Sequence, residues 1–207
     1  MTTQDYLPAA GRRWLLPLYD PLIALLTRER RWRGAILESL DLQPTDILVD
    51  VGCGTGTLAV MAKQHMPQAQ VIGIDPDPDA LSRAQRKAAA KGVAVTFHQG
   101  LGNEVARLVG PGRATKVVSS LAFHHMPPEM RAQTIAAIHE TLMPGGVLRI
   151  ADFVGGHFGG PAETRLLTGL TAGGFENARW IGGFRVIFIK VTLVGGEKPR
   201  PGGGEPS

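Results

Sequence analysis

Short apolar runs alternate with longer amphipathic stretches between residues 47 and 153. The runs predict five strands, at Ile47–Val51, Val71–Asp75, Val93–His98, Lys116–Phe123 and Val147–Phe153. Helices are predicted between them, at about 57–66, from 77 to 91, around 103–109 and from 127 to the Pro-Gly-Gly at 144–146. Because strands that alternate with helices form parallel sheets, this order predicts an α/β fold with a mostly parallel sheet and helices on both faces.

The last part of the chain departs from this rhythm. A helix is predicted over about 162–172, and "FENARWIGGFRVIFIKVTLV" then contains two β-rich runs separated by Gly182-Gly183. Two such runs around a glycine pair indicate a hairpin, so a seven-stranded sheet that ends in an antiparallel pair is expected. Residues 195–207 contain few apolar side chains and are predicted to form a disordered tail.

Residues 1–42 precede the first strand and are predicted to form a helical lid or cover for a core at 43–194. One interpretation is a helix over 25–40 that simply covers one face of the sheet. The other is a lid over the acceptor, because prolines interrupt the apolar stretch "WLLPLY" and favour a shaped loop that places Tyr19 on the substrate side. The flanking arginines add the hypothesis of a peripheral contact with an anionic membrane surface.

The composition is that of an ordinary globular domain. The chain has 207 residues, of which 43% are apolar and 19% are charged. No run approaches the roughly 20 apolar residues that a membrane-spanning helix requires. The first residues lack the basic start and short apolar core of a secretion signal, so we expect a cytoplasmic protein. The single cysteine, Cys53, excludes an internal disulfide and a cysteine-rich metal site.

The net charge of +4 raises the question of a nucleic-acid partner. The basic residues are scattered, however, and the arginines between Arg12 and Arg33 are interspersed with acidic residues. A solvated surface is the simpler explanation of such a pattern. We therefore predict no nucleic-acid partner.

A glycine-rich loop, "VDVGCGTGTLA", ends the first strand and opens the next helix. Such a loop lets the backbone approach a nucleotide, and the stretch from Gly54 to Ala59 matches the dinucleotide pattern G-x-G-x-x-A. Asp75 follows Gly56 by about 20 residues, which is where a ribose-binding acid is expected. The motif alone is weak, and it is compatible with NAD and with S-adenosylmethionine.

Two features favour S-adenosylmethionine over NAD. Asp50 stands just ahead of the glycines, where a carboxylate would repel a pyrophosphate but would attract the amino group and the sulfonium of S-adenosylmethionine. The predicted antiparallel hairpin also differs from a dinucleotide-binding fold, whose sheet is expected to continue in parallel.

Four stretches carry a wider resemblance: "VDVGCGTGTLA", "VIGIDPDPDALSRAQRKA", "VVSSLAFHHMPPEMRAQTIAAIHETLMPGGVLRIADF" and the terminal "GGFRVIFIKV". Together they resemble the class I S-adenosylmethionine-dependent methyltransferases, in particular the small-molecule branch with the quinone-biosynthesis and phospholipid methyltransferases. The resemblance covers about residues 20–194. It implies a Rossmann-like three-layer sandwich and methyl transfer from S-adenosylmethionine to a small, partly apolar acceptor such as a quinone, a lipid or another metabolite.

The resemblance also implies roles for individual residues. The residues that would bind the cofactor are Asp50, Gly52, Gly54 and Gly56 around the methionine portion, Asp75 on the ribose, Pro76 beside the adenine, and Ser119, Ser120 and Leu121 near the reacting centre. Leu101 stands where family members often carry an acid for the adenine amino group. A backbone contact at Gly100 or Leu101 is expected to replace that acid.

His124-His125 follows the fourth strand and is the evident candidate for a general base. Adjacent residues of an extended segment point to opposite sides, so only one of the two rings is expected to reach the substrate. Packing against the next helix is the alternative role. Asp152 ends the fifth strand at the same edge of the sheet, and it is either a substrate-side residue or a loop anchor. The pair of histidines is a poor metal chelate, and no metal site is predicted.

Two other functions stay open at this point. An NAD-dependent oxidoreductase would use the same loop, although Asp50 argues against it. A non-catalytic, nucleotide-binding regulatory protein would keep the loop without turning over any acceptor. The sequence predicts neither the identity of the acceptor nor the oligomeric state.

Overall fold

Helices and strands alternate through the described residues, which are 29–154, 162–186 and 189–202 of a computed structural model. The strands are β1 Ile47–Val51, β2 Gln70–Asp75, β3 Thr96–Gln99, β4 Ala114–Ser120, β5 Leu142–Val154, β6 Glu176–Val186 and β7 Ile189–Glu197. The helices are α1 Glu29–Leu40, α2 Thr57–His65, α3 Pro78–Ala90, α4 Val105–Val109, α5 Pro128–Thr141 and α6 Ala162–Ala172. Short 3₁₀ turns at Gly102–Glu104 and Phe123–His125 stand before α4 and α5.

The strands form a seven-stranded sheet in the order β3-β2-β1-β4-β5-β7-β6. The first five strands pair in parallel, whereas β7 lies antiparallel to both β5 and β6. The predicted α/β architecture is therefore confirmed, including the antiparallel end of the sheet. The chain leaves β1 and β4 toward opposite edges of the sheet, so the carboxyl ends of these neighbours border a crevice of the kind in which open α/β sheets bind ligands.

The central strands are buried on both sides because their alternate residues enter two apolar layers. On β1, Leu48 packs in the layer that contains α1 and α2, whereas Val49 and Val51 pack with α4, α5 and α6. The same alternation directs Asp50 toward the face that carries α1. The site residues are therefore divided between two faces of one sheet.

Helix α1 belongs to the core. Four of its side chains are buried at helical spacing, namely Trp32, Ile36, Leu37 and Leu40. They pack in one cluster with residues of β1, β4, β5 and β7. Residues 29–40 therefore cover one face of the sheet, as one of the two interpretations of the N-terminal segment predicts. Tyr19 and the rest of the predicted lid lie outside the described residues.

The direction of α1 follows from two polar contacts. Near its beginning, Arg33 Nη1 donates to Ser120 Oγ at the carboxyl end of β4, over 2.9 Å. Near its end, the carbonyl of Ser39 accepts a hydrogen bond from Arg149 Nε in β5, over 3.2 Å. Helix α1 thus begins at the carboxyl edge of the sheet and runs away from it. No helix among the described residues is both long and apolar enough to cross a membrane.

The terminal hairpin is antiparallel as predicted, but the glycine pair is not its turn. Gly182 and Gly183 lie inside β6, where they pair with Leu193 and Thr192 of β7. A shift of register between Trp180 and Gly182 marks an irregularity of this edge strand, and glycine within a strand commonly accompanies one. The prediction of a turn at this glycine pair is therefore wrong.

Strand β7 extends to Glu197 and so passes the predicted core boundary at residue 194. The pairing continues at Lys198, whose N–H donates to the carbonyl of Gly146 and whose carbonyl accepts the N–H of Gly145, each over 2.8 Å. These backbone hydrogen bonds need no apolar side chains, so composition could not signal them. Residues 195–198 therefore belong to the sheet rather than to a disordered tail.

We expect Ile36→Ala to destabilise the protein by about 2–5 kcal/mol, because Ile36 is fully buried between α1 and the sheet. Glu38→Ala on the exposed side of the same helix is expected to change the free energy of unfolding by less than about 0.5 kcal/mol. Urea unfolding followed by circular dichroism measures both. Equal effects of the two substitutions would contradict the packing of α1 on the sheet.

Candidate active site

Four strands bring polar side chains to the carboxyl edge of the sheet. These residues are Asp50 of β1, Asp75 of β2, Ser120 of β4 and Asp152 of β5, and none is more than 8% exposed. Buried polar side chains are costly unless they are paired or serve a ligand. The carboxyl edge of the sheet, where the sequence predicts the site, therefore carries buried polar side chains that are suited to bind a ligand.

The glycine loop is held against the end of β2. The N–H groups of Gly52 and Cys53 both donate to the carbonyl of Ile74, over 2.8 and 3.0 Å. Gly52 has a φ of +74°, and a side chain at this position would collide with the Cβ atom of Ala122. Only glycine allows this conformation together with such a close approach.

Gly54 and Gly56 serve different purposes in the same loop. A Cβ atom on Gly56 would lie 2.7 Å from that of Ala84 in α3, so this glycine lets the loop pack on its neighbouring helix. At Gly54, by contrast, no atom lies within 4 Å of the place where a Cβ atom would stand. The open side of Gly54 fits a ligand that approaches the backbone closely.

Asp50 is a buried carboxylate without a hydrogen-bond partner among the described residues. It is 1% exposed, and neither of its oxygens accepts a hydrogen bond from them. Burial raises the pKa of Asp50 to about 7, although the positive charge of Arg33 lowers it. The backbone N–H of Ala59, near the start of α2, also lowers this pKa without reaching hydrogen-bond geometry. A cation that enters the site would contact carboxylate oxygens that accept no hydrogen bond from the described residues, so Asp50 is suited to bind the amino group or the sulfonium of S-adenosylmethionine.

Asp75 connects the glycine loop to the start of α3. Its Oδ2 accepts the N–H of Gly54 over 2.8 Å, and its Oδ1 accepts the N–H of Asp77 over 3.0 Å. Burial raises the pKa of Asp75, while these two hydrogen bonds lower it. Each carboxylate oxygen can accept a further hydrogen bond, so Asp75 can hold the loop and still bind ribose hydroxyls.

The predicted adenine side differs from the expectation. The N–H of Gly100 donates to the carbonyl of Asp75 over 3.1 Å, and that of Leu101 donates to Glu104 Oε2 over 2.9 Å. Both backbone donors that were expected to bind the adenine are therefore engaged within the protein. What this segment offers an adenine ring is the Leu101 side chain, which is 38% exposed, and the half-buried ring of Pro76.

The end of β4 links the two faces of the site. Ser119 is fully buried, and its hydroxyl donates to the carbonyl of Val51 over 2.8 Å, which ties β4 to β1. Ser120 points to the other face and accepts the hydrogen bond from Arg33. Leu121 has a φ of +57°, which is strained for a residue with a side chain, and its N–H donates to the carbonyl of Ala151. Backbone strain of this kind clusters at functional sites.

His124 and Asp152 form a closely bonded pair. His124 Nδ1 lies 2.7 Å from Asp152 Oδ1, and the backbone N–H of His124 donates to Asp152 Oδ2 over 2.9 Å. Asp152 is fully buried and also accepts the N–H of Phe153 over 2.7 Å. Because the carboxylate can only accept hydrogen bonds, Nδ1 must act as the donor. The neutral imidazole therefore carries its proton on Nδ1, which leaves Nε2 as an acceptor. Asp152 is thus both a loop anchor and the residue that orients His124.

The two histidines do not point to opposite sides as expected. They lie in a 3₁₀ turn rather than an extended segment, and their ring centroids are 3.8 Å apart. The ring of His124 also contacts Phe153, at 4.7 Å between centroids. Burial lowers the pKa of His125, and the neighbouring His124 lowers it further. At pH 7 the ring of His125 is therefore uncharged and packs against the ring of His124.

Arg33 is a site residue that the sequence did not indicate. The expectation of a solvated surface is wrong for this arginine, which is half-buried, bonded to Ser120 and stacked 4.6 Å from the ring of Trp32. Its position next to Trp32 and three residues before Ile36 places it at the border of the buried helix face. That border position was the signal available in the sequence.

Cys53 and metal ions have no evident part in the site. Burial raises the pKa of the Cys53 thiol, and the carboxylates of Asp50 and Asp75 raise it further. The thiol is therefore a packing group rather than a nucleophile. Within the described ranges, no three His, Cys, Asp or Glu side chains come together in a way that could hold a metal ion.

Comparisons of the sequence with known proteins match methyltransferases. Residues 48–146 match a family model described as a methyltransferase domain. An uncharacterized methyltransferase of Synechocystis is 31% identical over 140 residues, which are 67% of this chain and 62% of the relative. A demethylmenaquinone methyltransferase of Thermus thermophilus is 33% identical over 142 residues, with the same shares of 67% and 62%. The chain thus spans about three fifths of the length of these relatives.

Solved structures share the fold at low sequence identity. The YcgJ protein of Bacillus subtilis superimposes with a TM-score of 0.69 at 14% identity, over 81% of this chain and 98% of that protein. At this level of identity the likeness concerns the architecture alone. It agrees with the predicted Rossmann-like sheet.

We expect the affinity for S-adenosylhomocysteine to fall about 20- to 30-fold between pH 7.5 and pH 5.5. Below about pH 7, Asp50 of the free protein carries a proton, and a ligand ammonium must displace it. The upper limit is chosen to keep the amino group of the ligand protonated. Calorimetric titration measures the affinities, and a flat profile for the wild-type protein would contradict this role of Asp50.

Asp50→Asn serves as the control for that titration. It should bind weakly at both pH values, and it should unfold at a higher temperature than the wild type at pH 8. The reason is that the folded-state pKa of Asp50 lies above the ordinary aspartate value of 3.8, so the carboxylate costs stability progressively as the pH rises from about 4 to about 7.

Gly54→Ala is expected to weaken binding of S-adenosylhomocysteine at least about 10-fold, because a methyl group would occupy the open side of the loop. Gly92→Ala is the matched control. Gly92 also has a positive φ and open space around it, but it lies at the end of α3 and away from the site. Both variants should lose about 1 kcal/mol of stability to backbone strain. Calorimetry should then show a loss of affinity in the Gly54 variant alone.

Proposed function

We propose that the chain is a class I S-adenosylmethionine-dependent methyltransferase and that it transfers a methyl group to a small, partly apolar acceptor that loses a proton to His124. The observation that carries the proposal is the contact of 2.7 Å between His124 Nδ1 and the fully buried Asp152. An acceptor that is already an anion or a free amine would need no such base.

The residues around the glycine loop fit the cofactor. Asp50 presents two unfulfilled oxygens to a cation, Gly54 leaves room for a ligand, and Asp75 offers further acceptor sites for a ribose. S-Adenosylmethionine supplies a methyl group that its sulfonium already activates. The task of the protein is then to hold the acceptor in line with that group, to exclude water and to remove a proton where necessary.

His124 is arranged to remove that proton. Asp152 holds the Nδ1 side of the ring, so Nε2 is the basic nitrogen, and the carboxylate stabilises the imidazolium that forms. The two backbone hydrogen bonds to Asp152 keep the carboxylate in place during the transfer. Asp152 acts through His124 and is therefore a positioning residue.

A quinol-like acceptor is the substrate class that fits these residues. A phenolic hydroxyl has a pKa of about 10 and is neutral at pH 7, so its attack on the methyl group requires a base. The rings of His125 and Phe153 flank His124 and offer flat surfaces on which an aromatic acceptor can stack. The Thermus thermophilus relative carries the name of a demethylmenaquinone methyltransferase, which supports this class.

The N-terminal segment is proposed to complete the acceptor side. Helix α1 begins at the carboxyl edge of the sheet, beside Ser120. A segment that covered this edge would exclude water from an apolar acceptor. The peripheral contact with an anionic membrane surface remains part of this proposal, because a quinol with an isoprenoid tail resides in a membrane.

An NAD-dependent oxidoreductase fits the site less well. The pyrophosphate of NAD would approach the glycine loop, where the buried and unpartnered Asp50 would repel it. A non-catalytic nucleotide-binding protein would have no use for the His124–Asp152 pair. Both alternatives are tested by the experiment that follows.

We expect His124→Ala to lower kcat about 100-fold or more, with a change of less than about 3-fold in the affinity for S-adenosylhomocysteine. Asp152→Asn should also lower kcat, because an asparagine can donate to Nδ1 and so favours the tautomer of His124 with its proton on Nε2. His65→Ala, which removes an exposed histidine, is the control and should be neutral. The assay follows methylation of a short-tailed 1,4-naphthoquinol by mass spectrometry.

Two outcomes would count against this proposal. Methylation by the His124 variant at the wild-type rate would remove the base from the mechanism. Tight binding of NAD without any binding of S-adenosylhomocysteine would end the assignment to methyl transfer altogether.

A further inference from the structure

The glycine loop is bound from one side by a lysine of helix α3. Lys87 Nζ donates to Thr55 Oγ1 over 3.0 Å and to Thr57 Oγ1 over 2.6 Å. These two threonines stand on either side of Gly56, whose φ is +70°. One side chain of α3 therefore bridges the last part of the glycine loop and Thr57, the first residue of α2.

The position of Lys87 follows from the packing of α3. Leu81, Ala84 and Ala88 are buried on one side of this helix, and a Cβ atom on Gly56 would lie 2.7 Å from that of Ala84. Residues three positions apart are neighbours on a helix surface, so Lys87 stands next to Ala84. The close packing of Gly56 on α3 therefore also brings the ammonium group of Lys87 to the two threonine hydroxyls.

The charge of Lys87 makes this bridge a strong one. An ammonium group can only donate, so both hydroxyls act as acceptors. Hydrogen bonds from a charged donor are stronger than those between neutral groups. Lys87, Thr55 and Thr57 are all half-buried, so the bridge is part of the folded structure rather than a contact at the fully exposed surface.

A loop with this many glycines depends on such contacts for its shape. Gly52, Gly54 and Gly56 all have a positive φ, and glycine loses more conformational freedom on ordering than any other residue. Asp75 holds the first part of the loop by accepting the N–H of Gly54. Lys87 holds the part around Gly56, so the loop is fixed both from the end of β2 and from α3.

We propose that Lys87 is a positioning residue of the cofactor site, which keeps the glycine loop in its ligand-binding shape through Thr55 and Thr57, an inference that rests on the proposed function. When only a fraction of the molecules has a binding-competent loop, the apparent affinity for the ligand falls by that fraction. Lys87 therefore increases the affinity for the cofactor by ordering the loop, and it acts through the two threonines.

Calorimetry with S-adenosylhomocysteine tests this role. Lys87→Met keeps most of the apolar stem and removes the ammonium group, and it should weaken binding about 10-fold, which is the loss expected when about one molecule in ten keeps the competent loop. Lys91→Met is the matched control, because it changes an exposed lysine directly after the same helix, and it should leave the affinity within about 2-fold. Lys87→Arg retains a charged donor and should restore part of the lost affinity.

A second comparison separates ordering of the loop from direct contact with the ligand. The variant with both Thr55→Val and Thr57→Val lacks the two acceptors, and it should bind S-adenosylhomocysteine about as weakly as Lys87→Met. Adding Lys87→Met to this variant should then change the affinity by less than about 2-fold, because both changes remove the same bridge. The threonine variant also provides the answer if Lys87→Met does not fold.

Three results would overturn the inference. An unchanged affinity of folded Lys87→Met, even with a lower melting temperature, would mean that the bridge only supports the fold. A full additional loss in the background without the threonine hydroxyls would mean that Lys87 does not act through them. An equal loss of affinity in Lys91→Met would mean that the effect is not specific to the bridge. If the wild-type protein bound no S-adenosylhomocysteine, the proposed function itself would fail, and the inference with it.

Discussion

The site depends on one unfavourable arrangement, a carboxylate that is buried at the end of β1 and finds no hydrogen-bond partner in the part of the chain that the structure describes. Ionised, Asp50 costs the free protein stability, because a buried charge is several kcal/mol less favourable without a partner. The sheet keeps it in place, since β1 lies between β2 and β4 and cannot move to expose it. A residue held at such a cost serves something other than the packing of the chain. The neighbouring groups are consistent with a ligand that carries a cation: the open side of Gly54 leaves room for it, and Asp75, which accepts the N–H of Gly54, keeps further acceptor capacity.

Two faces of the sheet contribute different chemistry, and the end of β4 joins them. Ser120 faces α1, where its hydroxyl accepts a hydrogen bond from Arg33. One residue later, Leu121 adopts a strained backbone conformation and is anchored to β5, after which the chain enters the 3₁₀ turn that carries His124. Asp152 holds that turn from the other face of the sheet. The strain at Leu121 is therefore located where the chain passes from the cofactor side to the acceptor side. A rigid connection at this point fixes the distance between the base and the methyl donor, on which the rate of transfer depends.

The parts of the fold that follow a repeating pattern were predictable, and the parts that follow a local contact were not. The parallel strands are buried on both sides and form apolar runs in the sequence, so their alternation with helices predicts a parallel sheet, and the β-rich runs at the end predict its antiparallel pair. The glycine pair at Gly182 is not a turn, because composition cannot distinguish a turn from an irregular strand. The histidine pair lies in a 3₁₀ turn, which brings both rings together, and not in the extended segment that the sequence suggests. Arg33 carries no signal of its own, since a polar residue at the border of a helix face has the same pattern whether it meets water or Ser120. Its role depends on a contact across 87 positions of the chain, which no local pattern contains.

The proposed cofactor side and the proposed acceptor side lie on different faces of the sheet, which bears on the selection of the substrate. The residues that we propose to hold the cofactor lie at the carboxyl ends of the central strands. The proposed base, His124, lies in a turn on the opposite face of the sheet from Ser120. We therefore expect the acceptor on the side of the His124 turn. Arg33 of α1 is bonded to Ser120 beside the proposed cofactor site, and the N-terminal segment that we propose to cover the acceptor precedes this helix in the sequence. Changes in that segment can alter the choice of acceptor without disturbing Asp50, Gly54 or Asp75, and this separation explains how one cofactor site can serve enzymes with different substrates.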